Sequence, residues 1–196
     1  MAVTAERFSQ GLNYDEYKAQ MTRNQERFVA NEEAAAIDVE DKEAIASLEN
    51  PLNVLVICED WCGDVIDNLP VLGKLADETG KLNIRVFLRD QNLDIMDQYL
   101  KDGQYRSIPV FVFFDENMNE KGSFLERPES VSARRAEWRK GYFEANPDAG
   151  SADTPITQLS EEVRTAMMDA MADKREEWKP LDNKEVVATI RHIVSV

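Results

Sequence analysis

The chain has 196 residues, of which 43% are hydrophobic and 31% are charged, and this composition is typical of a folded, water-soluble protein with one main core. Lysines and arginines number 23 against 38 aspartates and glutamates, and the net charge of −15 argues against nucleic acid and membrane surfaces as partners, since both require a basic face. No apolar run approaches the roughly 18 residues of a transmembrane helix, and the N-terminal MAVTAERFSQ lacks a secretory signal, so we expect a cytoplasmic protein.

Residues 1–50 predict a helical N-terminal extension. Asn13 and Glu16 have the spacing of a capping box at a helix start. The apolar residues that follow at helical spacing are Tyr14, Tyr17, Met21 and Phe28. A second short helix is predicted from residue 41 to residue 48, because Pro51 cannot continue it.

Residues 51–145 predict an α/β core. The runs LNVLVIC (52–58) and LNIRVFL (82–88) are short, apolar and rich in β-branched residues, which is typical of parallel strands covered on both faces. The segment between them has helical spacing and ends at Gly80. A helix over 93–103 follows, and VFVFFDENMNEKGSFLE then predicts an antiparallel hairpin. The order predicts a central mixed sheet with flanking helices.

Residues 146–196 predict a C-terminal helical extension that packs on the core. The preceding stretch ESVSARRAEWRKGYFEA is itself predicted to be helical, and NPDAGSADTP is a linker rich in turn-forming residues. Ser160 is placed to cap one helix, and Asp182 with Glu185 forms a capping box for a separate last helix.

The segment CEDWCGDV (58–65) contains both cysteines. Cys62 falls at the predicted first turn of a helix, where unpaired backbone N–H groups and the helix dipole favour thiolate over thiol. Three neighbouring carboxylates, on Glu59, Asp60 and Asp64, act in the opposite direction, because nearby negative charge raises the pKa of a thiol. The two effects are of similar size, so the sign of the net shift stays open.

Several motifs resemble the thioredoxin superfamily. They are EDWCGD at a strand-to-helix turn, Pro70 eight residues after the cysteine, and SIPVFVFF before the hairpin. More narrowly, DWCGD, FLRDQN, RSIPVFVFF and ERP are similar to a bacterial thioredoxin-like family of uncharacterised proteins. The resemblance covers about residues 50–128, includes the helical N-terminal extension, and implies an α/β thioredoxin-like fold.

The resemblance also implies roles for individual residues. Cys62 matches the attacking cysteine, and Ile108-Pro109 matches a loop whose cis-proline faces the sulfur and presents backbone to a bound peptide. The residues expected to frame a substrate are Trp61, Gly63, Asp64, Ile108 and Pro109.

Three departures from the thioredoxin pattern restrict the chemistry. The second cysteine of Cys-X-X-Cys is Val65, the proline between the cysteines is Asp64, and the buried carboxylate of the preceding strand is Val56. A dithiol cycle through Cys-X-X-Cys is therefore excluded, and a second thiol must release any mixed disulfide. Cys58 can supply that thiol only from a folded-back turn, because a disulfide needs Cα atoms within about 7 Å and four extended residues span roughly 13 Å. Otherwise an outside thiol such as glutathione must release the mixed disulfide. In that case Cys58 serves only as a small buried residue at the end of a strand.

The leading hypothesis is thiol–disulfide exchange or reduction by Cys62 as a single attacking thiolate, acting on a protein disulfide or with a low-molecular-weight thiol. A non-catalytic thioredoxin-fold binding module and a redox sensor through a Cys58–Cys62 disulfide are the alternatives. The single histidine, His192, leaves the cysteines without conventional zinc partners, and the sequence indicates neither a metal nor a cofactor.

The arginines admit structural roles. Arg89 and Arg127 are expected to pair with neighbouring carboxylates such as Asp90 and Glu126. The one basic cluster either pairs with carboxylates of the chain, which we favour, or receives an anionic ligand. Its members are Arg134, Arg135, Arg139 and Lys140.

Overall fold

The computed structural model describes residues 3–195. Its internal contacts divide the chain into two compact units, one that runs to Pro128 and resumes at Asn183, and one formed by Glu129–Asp182. None of the described helices is both long and apolar enough to cross a membrane.

The first unit is built on a four-stranded sheet. The strands are β1 (Leu52–Cys58), β2 (Leu82–Leu88), β3 (Val110–Phe114) and β4 (Glu120–Leu125). Their spatial order is β2-β1-β3-β4, with β1 parallel to β2 and antiparallel to β3, and with β3 antiparallel to β4. The two central strands are almost fully buried, as their continuous apolar runs predict. This is the predicted mixed sheet of a thioredoxin-like fold.

α-Helices precede, connect and follow the strands along the chain. They are α1 (Ala5–Ser9), α2 (Tyr14–Gln20), α3 (Gln25–Ala34), α4 (Val39–Ala46), α5 (Gly63–Thr79), α6 (Leu93–Met96), α7 (Glu129–Ala145) and α8 (Glu161–Val194). In the first unit α3 and α4 contact α5, which connects the parallel strands, and α2 contacts β2. Leu12 forms an antiparallel bridge with Val86, so the N-terminal segment covers part of the exposed edge of β2.

Local signals place several helix ends correctly. Asn13 and Glu16 form the predicted capping box, and Gly80 ends α5 in the left-handed conformation at φ 64°. The N-terminal helix does not continue to Phe28, however. It ends at Gln20, because Met21 is extended and Asn24 is left-handed before α3 begins.

Two helix predictions are wrong in extent. The predicted helix over 93–103 has only its first turn, α6, and the rest forms tight turns in which Asp102 and Gly103 both have positive φ. At the C-terminus a single helix, α8, replaces the two predicted ones. The capping box expected at Asp182 does not form, because the carboxylate of this residue binds Arg134 and Arg135.

The helix α5 contains Pro70, which has no N–H to donate to the carbonyl of Ile66 one turn earlier. The side-chain amide of Asn31, on α3, donates to that carbonyl instead, at 2.8 Å. Asn31 is 7% exposed, so this bond satisfies a backbone acceptor that would otherwise be buried without a partner.

Gly73 of α5 lies against the ring of Tyr14. A Cβ at Gly73 would stand 2.1 Å from Cζ of Tyr14, and the ring cannot move freely, because Phe28 and Lys18 pack against it. In an open helix Gly→Ala stabilises by about 0.5–1 kcal/mol. We expect Gly73→Ala instead to lower the free energy of unfolding by about 1–3 kcal/mol, the cost of an overpacked site.

Urea denaturation measures this effect, and Gly141→Ala is the matched control. Gly141 lies within α7, and a Cβ there meets no atom within 4 Å. This control should raise stability by about 0.5–1 kcal/mol. A stabilising Gly73→Ala would contradict the contact with Tyr14.

The second unit has a small apolar cluster of its own, formed by Phe143, Leu159 and Met167. Two arginines of the basic cluster bind Asp182 of the same unit, Arg134 directly and Arg135 at 3.5 Å. The guanidinium of Arg139 donates to the backbone carbonyls of Ala152 and Thr154. These contacts are the internal pairing that we favour for the cluster.

Candidate functional site

Cys62 occupies the N-cap of α5, with φ −83° and ψ 121°. Its backbone N–H donates to the carbonyl of Glu59 at 3.2 Å, and its own carbonyl accepts the N–H of Ile66 at 3.1 Å. The segment from 59 to 62 is therefore a tight turn that ends at the helix start. Cys62 is partly exposed in this position, at the N-terminus of the helix.

The sulfur of Cys62 faces the loop before β3. Its Sγ lies 3.5 Å from the carbonyl oxygen of Ile108, and the following Ile108–Pro109 peptide bond is cis, the geometry that the resemblance implies. Ile108 and Pro109 are both buried, and their side chains are apolar. The hydrogen-bond acceptor that this loop offers to the sulfur is therefore a backbone carbonyl.

Trp61 forms one rim of the site and is 44% exposed. The guanidinium carbon of Arg89 lies 5.0 Å from the centre of its ring, a distance suited to a cation–π contact. The same guanidinium donates to Asp90 at 2.8 Å, the structural ion pair expected for it. Arg89 thus supports the ring of Trp61, and the ring still presents aromatic surface to solvent at the residue next to Cys62.

Cys58 ends β1 and is completely buried. Burial raises the pKa of its thiol, and the hydroxyl of Tyr17 opposes this in part. Cys58 and Cys62 do not form a disulfide with each other. The inward position of Cys58 makes it a poor nucleophile, because the thiolate is the reactive form.

Two of the carboxylates near Cys62 are engaged by groups from other parts of the chain. Glu59 accepts the backbone N–H of Asp90 at 3.0 Å. Asp64, in the first turn of α5, forms an ion pair with Arg127 at 2.9 Å. The structural ion pair expected for Arg127 is therefore formed, with Asp64 as the partner rather than Glu126, whose carboxylate binds Lys101.

Asp60 connects the site to the N-terminal helices. Its carboxylate accepts the backbone N–H of Thr22 at 2.7 Å, the hydroxyl of Thr22 at 3.1 Å and the N–H of Arg23 at 3.0 Å. Its carbonyl accepts the side-chain amide of Asn24 at 2.8 Å. The connection between α2 and α3 therefore holds the turn that carries Trp61 and Cys62, a role that the sequence did not indicate.

The turn after β4 joins the two halves of the site. Glu126 has a positive φ of 59°, and its N–H donates to the carbonyl of Pro109 at 2.6 Å. Its own carbonyl accepts the side-chain amide of Asn68, on α5, at 2.8 Å. The turn thus contacts both the helix that begins at Cys62 and the loop that faces it.

The arrangement suits nucleophilic attack by sulfur on a group that lies along the Ile108–Pro109 backbone. Gly63 is the first residue of α5 and places no side chain at the helix start. Among residues 3–195 no group of three or more histidine, cysteine, aspartate or glutamate side chains is arranged to hold a metal ion.

Comparisons with known proteins identify the family and the fold of the chain. The Thioredoxin_9 family model, described as Thioredoxin, matches residues 11–139, well over half of the chain, and the chain belongs to this family. A protein of unknown function, PA1234 from Pseudomonas aeruginosa, has the same fold, with a TM-score of 0.67 and 18% identity over 100% of this chain and 98% of its own. An HIV epitope-scaffold has a TM-score of 0.67 and 18% identity over 99% of this chain and 98% of its own. The comparison with curated proteins gave no match.

Proposed function

We propose that the protein performs thiol–disulfide exchange or reduction with Cys62 as a single attacking thiolate. The observation that carries the proposal is the position of Cys62, a partly exposed residue at a helix N-terminus whose sulfur lies 3.5 Å from the carbonyl oxygen of Ile108, in a proline loop. The substrate is a protein disulfide or a small disulfide, framed by Trp61, Gly63, Asp64 and the Ile108–Pro109 backbone.

The reaction has two balanced steps. The thiolate of Cys62 attacks one sulfur of the substrate disulfide, forms a mixed disulfide and releases the other sulfur as a thiolate. A second thiolate then attacks the substrate sulfur of the mixed disulfide and returns Cys62 to its thiolate form. Because Val65 replaces the usual second cysteine and Cys58 is buried, the second thiol comes from outside, and glutathione is the candidate.

The proposed setting follows from the same features. A cycle that depends on an external thiol suits a reducing compartment, and we place the protein in the cytoplasm. The narrower assignment to bacterial thioredoxin-like proteins with a DWCGD motif rests on the four quoted motifs alone.

A non-catalytic binding module is the second candidate. The burial of Cys58 favours it, because no second thiol of the described chain is placed at the surface to complete a cycle. In this case Trp61 and the Ile108–Pro109 backbone hold a partner segment, and the sulfur of Cys62 is not consumed. The redox sensor is the third candidate, and it requires the buried thiol of Cys58 to reach Cys62.

Treatment of the reduced protein with oxidised glutathione tests the proposal. We expect intact mass to show one glutathione adduct, peptide mapping to place it on Cys62, and reduced glutathione to release it. A protein that gains no adduct and still holds a partner segment supports the binding module. A loss of two hydrogens without an adduct supports the Cys58–Cys62 sensor.

A further inference from the structure

We propose that Asp64 and Arg127 form a positioning pair that sets the reactivity of the Cys62 thiol. The inference rests on Cys62 being reactive, as in the proposed function, but it concerns the ionisation of the thiol and needs no disulfide substrate. Its basis is a partly buried ion pair between the start of the helix that follows Cys62 and the turn after β4.

The pair is well placed and largely shielded from water. The Nη1 of Arg127 lies 2.9 Å from Oδ2 of Asp64, and the two side chains are 19% and 14% exposed. Asp64 lies two residues beyond Cys62 in the first turn of α5. A carboxylate two residues from a thiol and partly out of water opposes ionisation of that thiol, and the adjacent guanidinium offsets the negative charge.

The other ionisable groups around the sulfur lack such compensation or lie further from the helix start. Glu59 and Asp60 are engaged by backbone N–H groups and a hydroxyl, which carry no net charge. Cys58, at the end of β1, and Tyr17, on α2, have raised pKa values because they are buried, so both are neutral at pH 7. Arg89, after β2, is already paired with Asp90. These groups are the same in the wild type and in variants of the pair, so any change in the charge next to Cys62 in such variants comes from Asp64 and Arg127.

Arg127 also belongs to the turn after β4, which contacts both α5 and the proline loop. The preceding residue, Glu126, donates to the carbonyl of Pro109 and accepts the amide of Asn68 from α5. The ion pair adds a second connection between this turn and α5, at the start of the helix. The same contact thus sets the local charge and holds the helix start against the loop that faces the sulfur.

The test is the pH dependence of Cys62 alkylation by a small neutral reagent. Arg127→Gln leaves the Asp64 carboxylate uncompensated and should raise the midpoint of the pH–rate profile by about one pH unit. Asp64→Asn leaves the guanidinium uncompensated and should lower the midpoint by a similar amount. The double variant should return close to the wild-type midpoint.

Opposite signs separate this role from structural support alone. Damage to the turn would move both single variants in the same direction, and this result would overturn the proposal, as would unchanged midpoints. Arg191→Gln is the control for overall charge, because it also removes a guanidinium from an ion pair, with Asp41, and should leave the midpoint unchanged. If Arg127→Gln does not fold, Asp64→Asn alone decides, and an unchanged or raised midpoint overturns the proposal.

Discussion

Replacement of Cys62 by serine is expected to reduce disulfide turnover to the uncatalysed rate while the protein stays folded. A serine hydroxyl is not ionised near neutral pH and does not attack disulfides, and the remaining thiol of Cys58 is sealed in the core. The measurement is release of thiol from a chromogenic disulfide in the presence of reduced glutathione. Turnover by Cys62→Ser equal to that of the wild type would remove the enzymatic proposal.

Cys58→Ala is the matched control for this experiment. Cys58 is 0% exposed in the wild type, and burial raises the pKa of its thiol. We therefore expect the alanine variant to keep wild-type turnover with external glutathione. Loss of turnover by a folded Cys58→Ala protein would show that the second step uses Cys58.

The largest expected effect on stability is that of Phe28→Ala. Phe28 is 0% exposed on α3 and packs its ring against Tyr14 and Tyr17, at centroid distances of 6.0 and 5.9 Å. Removal of a fully buried phenyl ring leaves a cavity, and we expect the free energy of unfolding to fall by about 3–5 kcal/mol. Urea denaturation followed by circular dichroism measures the change.

Val29→Ala provides the comparison at the neighbouring position. Val29 is 37% exposed, so its truncation should change stability by no more than about 0.5 kcal/mol. Similar small losses in both variants would indicate that the N-terminal helices contribute little to the main core.

The sheet and its main connecting helix follow from local sequence patterns. The strand β1 is apolar at every position except Asn53 because both of its faces are covered, whereas β2, at the edge of the sheet, also carries the exposed Asn83 and the half-buried Arg85. Gly80 ends α5 because it adopts a left-handed conformation at little cost. Sequence periodicity did not predict helix boundaries correctly where contacts between distant residues determine them. The carboxylate of Asp182 binds two arginines rather than backbone N–H groups, and α8 therefore continues through a position that looks like a helix start.

The candidate site was predictable only in part for a similar reason. The place of Cys62 at a helix start follows from the strand-to-helix pattern, and the cis bond before Pro109 follows from family resemblance. The contacts that hold the site join residues far apart in sequence, such as Thr22 to Asp60 and Asp64 to Arg127. Such pairs leave no periodic signal, because each depends on where the fold brings two separate loops.

The bond from Asn31 to the carbonyl of Ile66 makes two helices interdependent. Pro70 removes one backbone hydrogen-bond donor from α5, and the side-chain amide of Asn31, on α3, takes its place. The helix that begins after Cys62 is therefore tied to a segment more than thirty residues earlier. Protein engineers who transplant or shorten this scaffold will have to move α3 and α5 as a single cassette.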